Sequence, residues 1–147
     1  MIGAIFGDIL GSVAEEIPRH PRRTELTPTD DSFLTCACKE WIDSMTPKEV
    51  SEFLITQKNT DLFELEAIKA LKRWWGYFPE QGFSSGFNKW AKMDQSPRGT
   101  RNTNGCLMRN SPIVPGLLAK SVFISSDIIT IAQWFADITH YNEEALD

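Results

Sequence analysis

Thr29-Asp30-Asp31-Ser32-Phe33-Leu34 follows a proline and opens a run in which Phe33, Leu34, Ala37, Trp41 and Met45 recur on one helical face. That recurrence is the 3.6-residue period of a helix with one side buried. It predicts a helix from Asp30 to about Ser44. Acids in the first turn of a helix complement its macrodipole and its free N–H groups, which accounts for Asp30 and Asp31 on its own. The same residues also gather two carboxylates and a hydroxyl at one point of the chain, a donor set that suits a hard divalent cation such as Mg²⁺. A second acidic stripe, Asp8 and Glu15, lies a short way upstream and adds weight to the cation reading.

Outward from that segment, the periodicity stays helical. Ile2, Ile5, Phe6, Ile9, Leu10 and Val13 follow an amphipathic pattern. At about 100° per residue, Asp8 and Glu15 fall almost in line, away from the apolar face. Gly3, Gly7 and Gly11 form a small-residue stripe that predicts close approach of another helix. Downstream, Thr46-Pro47-Lys48-Glu49 reads as a capping box with proline at the first helical position, opening a helix through Val50, Phe53 and Leu54. Asp61 and Glu64 open a longer helix whose expected face is Leu65, Ile68, Leu71, Trp75 and Phe78, closed by Pro79 and Gly82. A short helix is expected within residues 83–93. Residues 95–105 read as a polar loop, and Pro112 and Pro115 as flanking an apolar turn. Ser126 is the expected cap of a helix whose face is Ile128, Ile131, Ala132, Phe135 and Ile138. No stretch keeps a strand period, so the fold class expected is all-α.

A chain of 147 residues, 41% hydrophobic and 24% charged, is sized and composed as one globular domain. The net charge of −5 argues against a nucleic-acid backbone partner, which needs a basic surface. The apolar opening is too short to span a bilayer and carries Asp8, so neither a membrane span nor a signal peptide is expected. Cys36, Cys38 and Cys106 make no disulfide framework, and a reducing, cytoplasmic setting is expected.

Few residues carry chemistry of their own. Asp8 interrupts an apolar, glycine-rich helix, and a buried carboxylate requires a partner, a hydrogen-bond set or a metal. A structural hydrogen-bonding role and a catalytic one are both open for it. Residues 98–105, with Arg98, Gly99, Asn102, Asn104 and Gly105, hold donors for a phosphate or ribose but lack the Gly-Lys-Ser/Thr ending of a phosphate-binding loop. His20 and His140 suggest no nucleophilic triad.

In order along the chain, these segments resemble the ADP-ribosylglycohydrolase family. Residues 3–12, Gly3-Ala4-Ile5-Phe6-Gly7-Asp8-Ile9-Leu10-Gly11-Ser12, with Glu15 after them, resemble its first helix. Thr29-Asp30-Asp31-Ser32 resembles its Thr-Asp-Asp-Thr/Ser metal motif. Asn104-Gly105-Cys106-Leu107-Met108-Arg109-Asn110-Ser111-Pro112 resembles its Asn-Gly-x-x-Met-Arg-x-x-Pro segment. Thr139-His140-Tyr141-Asn142-Glu143-Glu144-Ala145 resembles its Thr/Ser-His-x-His-Pro-Glu-Ala segment, departing at Asn142 and Glu143.

The resemblance implies an all-α fold around a pair of Mg²⁺ ions, with Thr29, Asp30 and Asp31 as metal ligands. It implies catalytic roles for Glu15 and Asp31, and a substrate pocket lined by Asp8, Arg98, Gly99, Asn102, Asn104, Gly105, Met108, Arg109 and His140. The activity implied is Mg²⁺-assisted removal of ADP-ribose from a modified protein or small molecule, with Glu15 orienting or deprotonating the attacking water. The family's later Gly-Asp-x-Asp-Thr segment, which supplies further ligands, has no counterpart here. The chain is therefore expected to correspond to the N-terminal half of the family domain, with an incomplete two-ion site and an oligomer or a complementing chain. The rival expectation is a non-catalytic homologue that binds ADP-ribose, a nucleotide or a protein partner.

Overall fold

In the structure, a computed structural model, residues 1–11, 27–56, 60–99 and 105–140 are described. Their elements are helices: α1 (Ile2–Gly11), α2 (Asp30–Ser44), α3 (Pro47–Thr56), α4 (Thr60–Tyr77), α5 (Ser85–Ala91), α6 (Gly105–Met108), α7 (Ile113–Leu118) and α8 (Ser125–His140). No strand occurs among the described residues, so the fold is all-α. None of their helices is long and apolar enough to cross a membrane.

Helix α2 is the hub. It touches α1, α4, α6 and α7, and it forms at the limits its periodicity predicts. Phe33, Leu34, Ala37, Trp41 and Met45 are all buried, as expected, together with Cys38 and Ile42. Each large apolar side chain removed from water in this way stabilises the fold by roughly 1.5–3 kcal/mol. Trp41 stacks on Phe135 of α8 at 4.7 Å and on Trp134 at 5.7 Å. Gly116 lets α7 lie against α2, because a Cβ there would sit 2.9 Å from Ile42 side-chain carbons. A polar clasp adds register between α2 and α4: Glu40 accepts from Arg73 and, at 2.8 Å, from the Trp74 indole N–H.

Local signals explain the ends of the helices. The capping box is present: the Thr46 N–H donates to Glu49 at 2.7 Å, and the Glu49 N–H returns a bond to the Thr46 hydroxyl at 3.2 Å. The Thr46 N–H, and the Thr46 hydroxyl donating to the same oxygen at 2.7 Å, hold the Glu49 carboxyl below its ordinary pKa. Ser84 caps α5 by accepting from the Phe87 N–H.

Four expectations are corrected. In α4 the expected Leu71 is buried and Ile68 and Trp75 pack against the core, but Leu65 and Phe78 are exposed, and Phe63, Ala67 and Ala70 are buried in addition, the small alanines permitting close packing. The segment around Pro115 is helical, since a proline in the first turn gives up an N–H that has no partner inside the helix. Helix α8 starts before Ser126, with the Ile124 carbonyl accepting from Asp127 and Ile128. Nothing lies within 4 Å of a Cβ placed at Gly3, Gly7 or Gly11, so the glycine stripe of α1 does not serve close helix packing among the described residues.

Candidate functional site

Two polar clusters flank α6. The first lies where α1 meets the start of α2. Thr29, the N-cap of α2, has the extended backbone of a cap, φ −104° and ψ −174°, yet its hydroxyl makes no bond to its own helix. That hydroxyl donates instead to Asp8 Oδ1. Asp8 Oδ2 accepts from the Thr29 N–H at 2.8 Å and from the Ser32 hydroxyl at 2.5 Å. A half-buried carboxylate with three donors meets the requirement that placed it under suspicion in the sequence.

A cavity of about 340 Å³ opens beside this junction. Asp8 and Asp31 face it, Thr35 and Met108 complete its wall, and Ala4, Gly7 and Gly11 form the α1 side. The residues expected to admit a neighbouring helix thus leave open space over the carboxylates. The Thr35 hydroxyl is turned to the Asp31 carbonyl at 2.7 Å.

The donors at this end, Thr29, Asp30 and Asp31, are all oxygen, which fits a hard cation. Among the described residues no three His, Cys, Asp or Glu converge to hold a metal ion. Two carboxylates and a hydroxyl still match the way Mg²⁺ is bound, through one or two carboxylates with several waters retained.

The second cluster surrounds the C-terminal turn of α8. Arg109, which follows α6, is 1% exposed. One of its terminal nitrogens donates to Thr139 Oγ1 at 2.6 Å and to the Phe135 carbonyl at 3.3 Å, and its guanidinium lies 5.1 Å from the Phe135 ring. A cation at the C-terminal carbonyls of a helix is favoured by the macrodipole. Thr139 Oγ1 in turn lies 2.8 Å from His140 Nδ1, and both residues are buried. Gly99 completes the cluster: its N–H donates to the Ile138 carbonyl at 3.0 Å, and a Cβ there would stand 2.2 Å from the Thr139 carbonyl oxygen. Only glycine fits that approach. Arg98 pairs with Glu64 of α4 at 3.2 Å.

The structure therefore brings Asp8, Asp31 and Met108 to the cavity wall, with Thr29 bonded to Asp8, while Asp30 does not line it. It brings Arg98, Gly99, Arg109 and His140 to the α8 end. Helix α6, which begins at Gly105, joins the two, because Met108 walls the cavity and the next residue is the buried Arg109. Glu15, Asn102 and Asn104 lie outside the described residues, as do Asn142, Glu143 and Glu144. Sequence reasoning missed Ser32 as a partner of Asp8 and Thr139 as the link between Arg109 and His140. Hydroxyls inside helices give no signal of their own.

The Cys38 thiol does not compete for a chemical role here. Burial pushes the Cys38 thiol up to about 12, against an opposing influence from Arg109, so it stays protonated and inert near neutrality.

A family model described as ADP-ribosylglycohydrolase matches residues 1–147. The chain belongs to the ADP-ribosylglycohydrolase family. Neither curated proteins nor solved structures gave a significant match. Membership in this glycohydrolase family agrees with the all-α fold and assigns the chain to a class that acts on ADP-ribosylated substrates.

Proposed function

We propose that the protein is an ADP-ribosylglycohydrolase-like hydrolase, releasing ADP-ribose from a modified protein or small molecule with Mg²⁺ assistance. The observation that carries this reading is the cavity onto which Asp8 and Asp31 both face, in a chain of this family. Thr29, Asp30 and Asp31 are the residues that would hold the cation. A bound Mg²⁺ supplies Lewis-acid stabilisation of charge at the sugar oxygens. Asp31, at the cavity wall, orients the ribose beside it. Glu15 is the proposed acceptor of the proton from the water attacking the anomeric carbon, a role that requires hydrogen-bond reach to that water. Arg98, Gly99, Asn102, Asn104, Gly105 and Met108 form the proposed substrate side. Arg109, enclosed against α8, and His140 beside it support that wall from within.

The test is release of ADP-ribose from an ADP-ribosylated protein with added Mg²⁺, comparing wild type with Asp30→Ala and Asp31→Asn. Wild type is expected to turn over and to stop with chelator, and each variant to lose at least about 100-fold, the scale on which positioned charge acts. Equal turnover in all three sinks the reading. One alternative is a homologue that binds ADP-ribose without cleaving it. Calorimetric binding of ADP-ribose with no release from any substrate is the outcome that identifies it.

A further inference from the structure

Three donors converge on Asp8: the N–H and hydroxyl of Thr29, and the hydroxyl of Ser32. An ionised carboxylate is the side chain that meets such a set, because it offers up to four lone-pair sites and carries no proton of its own. The Thr29 hydroxyl makes no cap bond to α2 and donates its proton to this acceptor on another helix. A hydroxyl has one proton and two lone pairs. With the proton committed to Asp8, only lone pairs remain to Thr29 Oγ1 for any other partner. Thr29 is 3% exposed, so no bulk water is at hand to turn the group around.

We infer that Asp8 is a positioning residue, which fixes the Thr29 hydroxyl so that its lone pairs, and never its proton, are presented to a divalent cation. The inference rests on the cation reading proposed above and assigns Asp8 a task distinct from touching substrate. Groups that orient a metal ligand through a hydrogen bond typically contribute 10–100-fold to metal affinity. A purely mechanical clamp between α1 and α2 would contribute stability alone.

Asp8→Asn and Ser32→Ala separate the two. An asparagine amide opposite Thr29 Oγ1 donates to it, takes a lone pair and turns the hydroxyl proton outward. Ser32→Ala removes one of the three bonds to Asp8 but leaves the Thr29 hydroxyl where it is. Binding of Mg²⁺ and of Mn²⁺ alone to the full chain is measured by calorimetry, and thermal unfolding is followed without metal.

The expected result is a 10–100-fold weaker affinity for Asp8→Asn, with Ser32→Ala within about threefold of wild type, although both variants lose stability. Equal affinity in Asp8→Asn and wild type overturns the inference, as does an equal loss of affinity in both variants. A wild-type chain that binds neither cation overturns it together with the cation-assisted hydrolase; wild-type binding that Asp8→Asn retains overturns it alone.

Should Asp8→Asn fail to fold, proton NMR of the wild type decides. The Thr29 hydroxyl proton should exchange slowly, and should stay protected while its resonance moves on Mg²⁺ addition. A proton that exchanges freely, or is lost when Mg²⁺ binds, refutes the assignment.

Discussion

Asp137 in α8 shows how a single buried atom sets a pH dependence. One of its oxygens is buried without a hydrogen-bond partner among the described residues. Burial raises its carboxyl above the ordinary value, and the nearby Arg98 guanidinium only partly opposes this. The folded state therefore holds the proton to a higher pH than the unfolded chain does. Such a group favours the fold while protonated, and its contribution is lost as pH rises through the folded value. Above that value the ionised Asp137 works against the fold. Asp137→Asn is expected to raise the melting temperature at pH 7.5 by about 1–3 °C. The gap should shrink towards the ordinary carboxylate value of 3.8. Thermal melts of both proteins across that range check this; a variant no more stable than wild type at pH 7.5 contradicts it.

At the scale of the element, α1 departs most from what a helix of its composition suggests. Its glycines face open space, and at Gly7 and Gly11 that space is the cavity over Asp8 and Asp31. Gly7→Ala is expected to stabilise the helix by about 0.5–1 kcal/mol, since the added Cβ meets nothing and glycine is a poor helix former. Gly7→Leu should keep the fold and fill the cavity, weakening ADP-ribose binding at least tenfold by calorimetry. Unchanged binding in Gly7→Leu would place the ligand elsewhere.

The same element shows what a sequence can and cannot reveal. The period of apolar residues and the Thr46–Glu49 box marked α2 and α3 closely, because those signals are local. In α4 the pattern marks Leu71, Ile68 and Trp75 but not Ala67 and Ala70, because alanine is weak in any hydrophobic pattern. The acids at the start of α2 stand out as a candidate cation site because they are adjacent in the chain. The Asp8–Thr29 bond was not, because it spans 21 residues and depends on how two helices meet.

For the whole molecule, the apolar pattern of α1 is turned outward. Ile2, Phe6 and Leu10 are 79%, 62% and 53% exposed along one line of the helix. Phe123 and Ile124 are also largely exposed, before α8. Scattered apolar residues are ordinary on a surface, but an aligned row on a helix marks a face that gains by being covered. A net charge of −5 opposes contact between copies at low salt, so any self-association must be driven by apolar burial and should strengthen as salt screens the repulsion. Sedimentation of the intact chain at about 100 µM in 0.5 M salt, where screening extends only a few ångströms, is expected to give a mass above the 16.7 kDa monomer. Phe6→Glu with Leu10→Glu places two charges in that row without touching Asp8 or the glycine wall. The double variant should sediment as a monomer while keeping its helical circular dichroism. A wild type already monomeric under those conditions would leave the outward row as plain surface, and the cavity beside α1 would then have to work within a single chain.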